Sequence, residues 1–414
     1  MTGNDSAPPS DGSPIGPIHS GRSKSSALIA LGVTSLALRP SLTAIGALTP
    51  AMLAGGELSV AQLGFLGSVP LIVFAMFSSM VPALLHRVRI TTALTVAMSA
   101  VVVGSLLRVA PGAALLYGGT ALIAAGLCVG NVLLPVAARA FFPHRVGRVT
   151  GICTALISAG GGAGVALALP LADGLRAGWR VALAITAATA AVAAVAWLMP
   201  VLRVYEAGRP RIHLPSSSTK TKADASTVVM AGAFFGAQAS FFYLAASWLL
   251  PLLMEKSNRI EQATFGVGAF SFAGVLTCLV APSLALGKVG LRGMILVVST
   301  LQIVGATGVF CGTGFVALGG AVVLAVGVTA AFSLSIVIFS IAAGSAHATV
   351  ALSGRAQSLG YTIAAVFPFV AGLVRMQTGS WLVVEASMLV LAAVTLISGL
   401  LLTTRQRGLG RRDL

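Results

Sequence analysis

A chain of 414 residues with 57% hydrophobic and only 9% charged side chains cannot close into a water-soluble globule, whose surface would need far more charge. Its +16 net charge is scattered in short clusters between apolar runs, with no basic helix and no aromatic–basic interleaving. That pattern argues against nucleic acid as a partner and for a polytopic membrane protein anchored by positive loops in a lipid bilayer.

Residues 1–26, rich in Ser, Pro and Gly, read as a disordered cytoplasmic tail. The apolar run that follows is too long for the h-region of a signal peptide and lacks a small-residue cleavage site. At about 20 residues per crossing, twelve runs are long enough to span the hydrocarbon: 27–50, 61–85, 91–109, 113–138, 147–172, 179–200, 227–252, 263–286, 291–312, 315–342, 351–374 and 380–403. The longest polar interruption carries five basic residues among prolines and serines and predicts a linker over 203–226. It divides an N-terminal six-helix half, 27–202, from a C-terminal half, 227–404, which is followed by a basic cytoplasmic tail, 405–414.

With the N-terminus inside, 19 of the Lys and Arg residues fall in cytoplasmic segments. Six fall outside, namely Arg108, Arg176, Arg180, Lys256, Arg259 and Arg375, and Arg39 is left in the membrane. The bias predicts a multi-pass inner-membrane protein with both termini in the cytoplasm. The halves also repeat. Pro50 and Pro251 close the first and seventh spans, Pro82 and Pro282 end the second and eighth, Gly151 and Gly354 open the fifth and eleventh, and Trp179 and Trp381 open the sixth and twelfth. All four pairs are separated by 200 to 203 residues. Six spans per half is an even number, so the copies share one orientation, which predicts a parallel repeat with a substrate near the midplane between halves.

Arg39 stands near the centre of the first span, where a permanent charge costs roughly 2.5–3.5 kcal/mol on insertion scales and needs a partner or a wet cavity. Pro40 beside it withholds an N–H and deprives the Leu36 carbonyl of its usual donor, weakening the helix at that depth. Arg39, Thr43, Gly46 and Pro50 share one helical face. A structural ion pair would need a carboxylate at this depth, and the one acid plausibly inside a span, Glu385, lies near the outer end of the twelfth. Arg39 therefore reads as a binding group for cargo.

Further candidates are Thr43 on the Arg39 face of span 1, Asn131 in span 4, Gln238, Tyr243 and Trp248 in span 7, Ser333 in span 10, and Gln357 and Tyr361 one turn apart in span 11. Uncharged amides, hydroxyls and phenols facing a guanidinium suit a small planar or anionic solute, although each can also serve helix packing. Phe332 and Phe339 read as packing. Gly160-Gly161-Gly162 and Gly164 give span 5 a small-residue face for close helix approach. Cys128, Cys153, Cys278 and Cys311 lie in apolar runs without C-x-x-C spacing and read as packing residues, so no metal or cofactor is expected.

Several stretches together carry a family resemblance: Leu38-Arg39-Pro40-Ser41-Leu42-Thr43, Ser68-Val69-Pro70, Gly130 to Pro135, the basic turn Phe142 to Gly147, Gly178-Trp179-Arg180, Ser247 to Pro251 and Ala356 to Tyr361. On these the chain resembles major facilitator superfamily transporters of the cyanate and nitroimidazole permease branch (CynX/NimT). Ala37 departs from the Asn usual in that family two residues before the arginine. The resemblance implies an all-α, twelve-helix fold in two pseudo-symmetric halves. It also implies a monomeric permease for cyanate-like anions or nitroimidazole-like heterocycles.

Span 5 partly resembles the glycine motif of drug–proton antiporters, with Val165 where that motif has proline, which keeps efflux as an alternative. A non-transporting sensor is a further one. No paired carboxylates, metal-spaced His/Cys set or nucleophile–base pair points to an enzyme. Spans 1, 4, 7 and 10, as bounded above, contain neither carboxylate nor histidine, and guanidinium does not deprotonate. Proton coupling through a carboxylate relay is not expected at this site.

Overall fold

A computed structural model describes residues 17–56, 58–81, 88–142, 145–174, 178–199, 202, 224–257, 259–343 and 346–410. Outside the described residues lie the first part of the expected tail, the 203–223 portion of the linker, the landmark Pro82, the turn residues His86-Arg87 and Pro143-His144, Arg176 and the last four residues. Every regular element among the described residues is a helix. Span 1 consists of two helices, Pro17–Ala37 and Pro40–Ala54. Spans 2 to 5 are Val60–Phe77, Ile90–Leu107, Ala113–Phe141 and Val146–Gly174. Span 6 is again a pair, Gly178–Ile185 and Ala188–Leu198. Spans 7 to 12 are Ala225–Ser257, Ile260–Leu286, Gly290–Cys311, Gly314–Ala343, Ala346–Thr378 and Leu382–Gly410. All twelve are long and apolar enough to cross a bilayer. An even number of crossings puts both described ends on one face, the terminal face; the opposite face is the far face.

Two expectations are corrected by these boundaries. Helix begins at Pro17 and continues to Gly410, so 17–26 and 405–410 are helical where tails were expected. Extending a helix that the membrane span has already nucleated fixes one residue per new hydrogen bond, which favours propagation beyond the apolar limit. Pro50, Pro251 and Pro282, expected to close their spans, instead lie inside them. In lipid, neighbouring helices can satisfy the carbonyl that a proline frees, so a proline bends a span without ending it.

The repeat is visible in backbone conformation. Gly112 (φ 106°) and Gly314 (φ 51°) turn the chain into spans 4 and 10, and Gly178 (φ 72°) and Gly379 (φ 65°) into spans 6 and 12. Positive φ is inexpensive for glycine alone, and these pairs fall at the same sequence offset as the other landmarks. Span 1 breaks this symmetry. Its counterpart, span 7, runs as one helix from Ala225 to Ser257, whereas span 1 is interrupted at Leu38-Arg39.

The halves meet along spans 2 and 11, spans 5 and 8, and spans 1 and 7. Their buried apolar residues form two clusters stacked by depth. The cluster nearer the terminal face includes Leu38, Ala239, Leu334 and Tyr361. The other, nearer the far face, includes Ala44, Phe242, Val328 and Val165. Tyr243 packs against both. The layer between them is where Arg39 sits, at mid-depth of the bundle.

Candidate functional site

The break in span 1 follows from two adjacent residues. A residue before proline is pushed out of helical geometry, and Arg39 stands at φ −124°, ψ −29° with Pro40 opening the next helix. Its carbonyl accepts from the N–H groups of Leu42 and Thr43 at 3.0 and 3.1 Å, as an N-cap residue does, and this leaves its side chain free. The glycines of span 5 make room for the interruption. A Cβ on Gly160 would stand 2.1 Å from the Leu36 carbonyl oxygen, and one on Gly164 would stand 2.6 Å from Pro40 Cα. The expected small-residue face of span 5 is therefore the seat of the break.

The Arg39 stem lies over Gly161, and the guanidinium crosses to the other half. Its Cζ is 3.9 Å from the centroid of the Phe242 ring and 5.4 Å from that of Phe332. No carboxylate and no hydrogen-bond acceptor holds the guanidinium among the described residues, and it is partly exposed. Beyond Phe242, aromatic rings continue toward the terminal face. Tyr243 meets Phe242 at 5.2 Å and Phe74 at 6.4 Å, while Tyr361 meets Phe74 and Phe235 at 5.0 Å each. These rings floor the site with T-shaped contacts.

The nominated side chains separate into two groups. Gln238 lies one turn from Phe242 on the same helical face, Ser333 follows Phe332, and Asn131 follows Gly130, which packs on Leu38 beside the break. The polar atoms of Asn131, Gln238, Tyr243, Ser333 and Tyr361 have no protein hydrogen-bond partner among the described residues. Tyr243 adjoins Phe242, the ring under the Arg39 guanidinium, while Tyr361 lies beyond Phe74 toward the terminal face. Gln357 stands nearer the terminal face with its amide donating to Ser353 Oγ at 2.8 Å, beside Ser358, whose hydroxyl donates to the Ala75 carbonyl across the halves.

Thr43 and Trp248 have their donors engaged in contacts between helices. The Thr43 hydroxyl donates to the Gly161 carbonyl at 2.9 Å and is buried against Gly164, clasping span 1 to span 5. Trp248 donates its indole N–H to the Pro368 carbonyl at 2.9 Å and wedges between Gly64 and Gly372. It lies roughly 9 Å up the helix from Phe242 at 1.5 Å per residue. Trp248→Phe is expected to cost about 1–2 kcal/mol of stability through the lost bond, seen as a lower unfolding temperature with the transport KM within about twofold of wild type.

Three features escaped the sequence reading. Phe332, read as packing, faces Arg39. Phe242 carries no polar signal in the sequence, although its spacing from Gln238 places both on one face. Arg108, assigned to the outside loops, is fully buried; it donates to Thr120 Oγ1 at 3.0 Å and to the Ser41 carbonyl at 2.9 Å. Its position just past the C-terminal end of span 3 suits a cation, because carbonyls converge there. Glu385 is far from the layer, paired with Lys256 at 2.9 Å near the far face.

Twelve spans in two repeated halves, with an unneutralised arginine at mid-depth on their seam, define a membrane transporter. The model of the Major Facilitator Superfamily matches residues 31–372, and the chain belongs to that superfamily. Within it the chain is similar to proteins of the cyanate and nitroimidazole permease branch. It is 29% identical over 385 residues to the 2-nitroimidazole transporter of Escherichia coli (strain K12), covering 92% of this chain and 96% of that protein. It is 24% identical over 363 residues to the cyanate transport protein CynX of the same strain, with 86% and 91% covered. An uncharacterized transporter of Bacillus subtilis (strain 168) is 29% identical over 347 residues, with 83% and 85% covered. Among solved structures, a bacterial homolog of the human lysosomal transporter Spinster, inward-facing and unoccupied, matches with a TM-score of 0.67 at 16% identity, covering 93% of this chain and 97% of that one. That likeness concerns the fold.

Proposed function

We propose that this transporter moves a small anion or small planar heterocycle, cyanate-like or nitroimidazole-like, across the inner membrane by alternating access, with Arg39 at the central site and both termini cytoplasmic. The observation that supports this reading most is the Arg39 guanidinium, held against the Phe242 ring with no carboxylate on it among the described residues. A cation at mid-bilayer depth with free donors is a site for an acceptor-bearing solute. The names carried by two relatives supply the solute class. The midplane position on the seam lets the halves rock about the solute, exposing it to one side and then the other.

An anion entering against about 100 mV, inside negative, faces roughly 2.3 kcal/mol per charge, so accumulation requires exchange or entry with a proton. No carboxylate stands in the Arg39 layer among the described residues, and Glu385 is held by Lys256. Counterflow of labelled 2-nitroimidazole and cyanate in proteoliposomes tests the reading: stimulated exchange of either supports it, and none for both opposes it. Glu385→Gln is expected to leave transport stoichiometry unchanged while lowering stability by about 2 kcal/mol, because Lys256 loses its partner. Proton flux that is coupled in wild type and lost in Glu385→Gln would reverse that assignment. Direction follows from growth on a toxic nitroimidazole, where expression sensitises cells if the protein imports and protects them if it exports.

A further inference from the structure

The geometry points to Phe242 as the residue that positions Arg39 for cargo, by holding the face of the guanidinium from the opposite half and leaving its edge free. This inference rests on the proposed reading of Arg39 as the cargo-binding group. Arg39 comes from span 1 and Phe242 from span 7, so the 3.9 Å stack bridges the two halves at the level where cargo would sit. Phe332, from span 10, adds a second ring at 5.4 Å, near the roughly 6 Å limit of such contacts.

The choice of ring over carboxylate has a consequence for selectivity. A carboxylate would occupy the in-plane N–H donors, which are the atoms an anionic or heteroaryl cargo needs. An aromatic ring attracts the cation through its quadrupole and covers only the flat face. The empty carrier thereby keeps its mid-depth charge oriented without using the donors. What remains open is the guanidinium edge with its in-plane N–H donors, next to a helix that carries Tyr243 beside Phe242 and Gln238 one turn away. Such an opening selects flat solutes with acceptor atoms in the molecular plane and disfavours bulky or tetrahedral anions such as sulfate. The ring is a positioning residue, acting on cargo through Arg39.

Ring fluorination separates this role from simple packing, because it drains the quadrupole while nearly preserving shape. Wild type is compared with proteins carrying mono-, di- and trifluorinated phenylalanine at position 242, each made with Arg39 and with Arg39→Met. In the Arg39 background the unfolding temperature of the empty protein is expected to fall stepwise along the series. In Arg39→Met it is expected to stay flat, because no cation faces the ring. With 2-nitroimidazole or cyanate as the transported probe, KM is expected to rise by about tenfold across the series while Vmax stays within about twofold. The same series at position 332 is expected to give a smaller change. Parallel unfolding series in the two backgrounds, or a KM that is flat or falls with fluorination, would overturn the inference. If neither probe is moved by wild type, the cargo reading fails and the unfolding series alone decides whether the stack exists. If Arg39→Met abolishes transport while fluorination leaves KM unchanged, the cargo reading stands and the inference falls.

Discussion

Arg39→Met is expected to abolish transport without destabilising the protein. A cargo that loses its charge-assisted hydrogen bonds to the guanidinium forfeits about 2–4 kcal/mol, roughly 30- to 1,000-fold in affinity. A structural ion pair would behave differently, since removing one partner strands the other charge and lowers stability. Here no carboxylate is left behind among the described residues, and a charge costing roughly 2.5–3.5 kcal/mol at mid-bilayer is removed. The unfolding temperature of Arg39→Met is therefore expected to equal or exceed that of wild type, while counterflow of 2-nitroimidazole and cyanate disappears. Arg39→Lys sharpens the test. An ammonium keeps the charge but has neither the planar fork nor the flat face that Phe242 covers, so lysine is not expected to restore transport. Wild-type transport by Arg39→Lys would mean that charge alone suffices. A large stability loss in Arg39→Met would mean that the arginine is structural.

Features set by single residues against a uniform background are visible in the sequence. One charge in a long apolar run, with a proline beside it, announced both the site and the break in span 1, because hydrocarbon tolerates neither a free charge nor a missing N–H without a reason. The repeat was visible because prolines, glycines and tryptophans at span ends recur at a fixed offset. Partnership was hidden. Thr43, Trp248 and Gln238 are all polar residues in apolar helices and look alike in one dimension. Only the approach of Gly161 and Pro368 shows that the donors of the first two are already used and that the third is free. Aromatic residues were harder still, since Phe332 at the guanidinium and Phe339 against Phe235 have the same composition and differ only in what crosses the seam. Arg108 misled for a related reason. Its place past the end of span 3 suggested water, but the Ser41 carbonyl of the broken span and the Thr120 hydroxyl draw it inward.

Gly46→Ala is expected to stop transport by acting on one conformation, whereas Gly160→Ala acts on folding. Both glycines touch backbone: a Cβ on Gly46 would lie 1.5 Å from the Ala246 carbonyl oxygen, and one on Gly160 would lie 2.1 Å from that of Leu36. Neither obstacle can rotate away. The difference is the seam. Gly160 meets its own half, so its methyl group is resisted in every conformation, and a loss of about 1–3 kcal/mol of stability is expected from overpacking. Gly46 meets span 7 of the opposite half, between Ser41 and Pro50 on one side and near Pro251 on the other. Those two prolines free the carbonyls of Gly46 and Ser247, so both helices are locally bent where they touch. If the halves part on the far face during the cycle, the Gly46 methyl group is resisted only while that face is closed. A penalty of about 2 kcal/mol then shifts the balance roughly thirtyfold toward the state open to the far face. The readout is available in the chain itself. Cys278, buried beside the site and 3.7 Å from Ser158, can report access once Cys128, Cys153 and Cys311 are replaced by Ser. In Gly46→Ala, an impermeant thiol reagent applied from the far face is expected to label Cys278 at least tenfold faster, with the unfolding temperature near that of wild type and counterflow lost. If Gly46→Ala instead unfolds like Gly160→Ala with no gain in labelling, spans 1 and 7 form a fixed seam and the halves do not separate there.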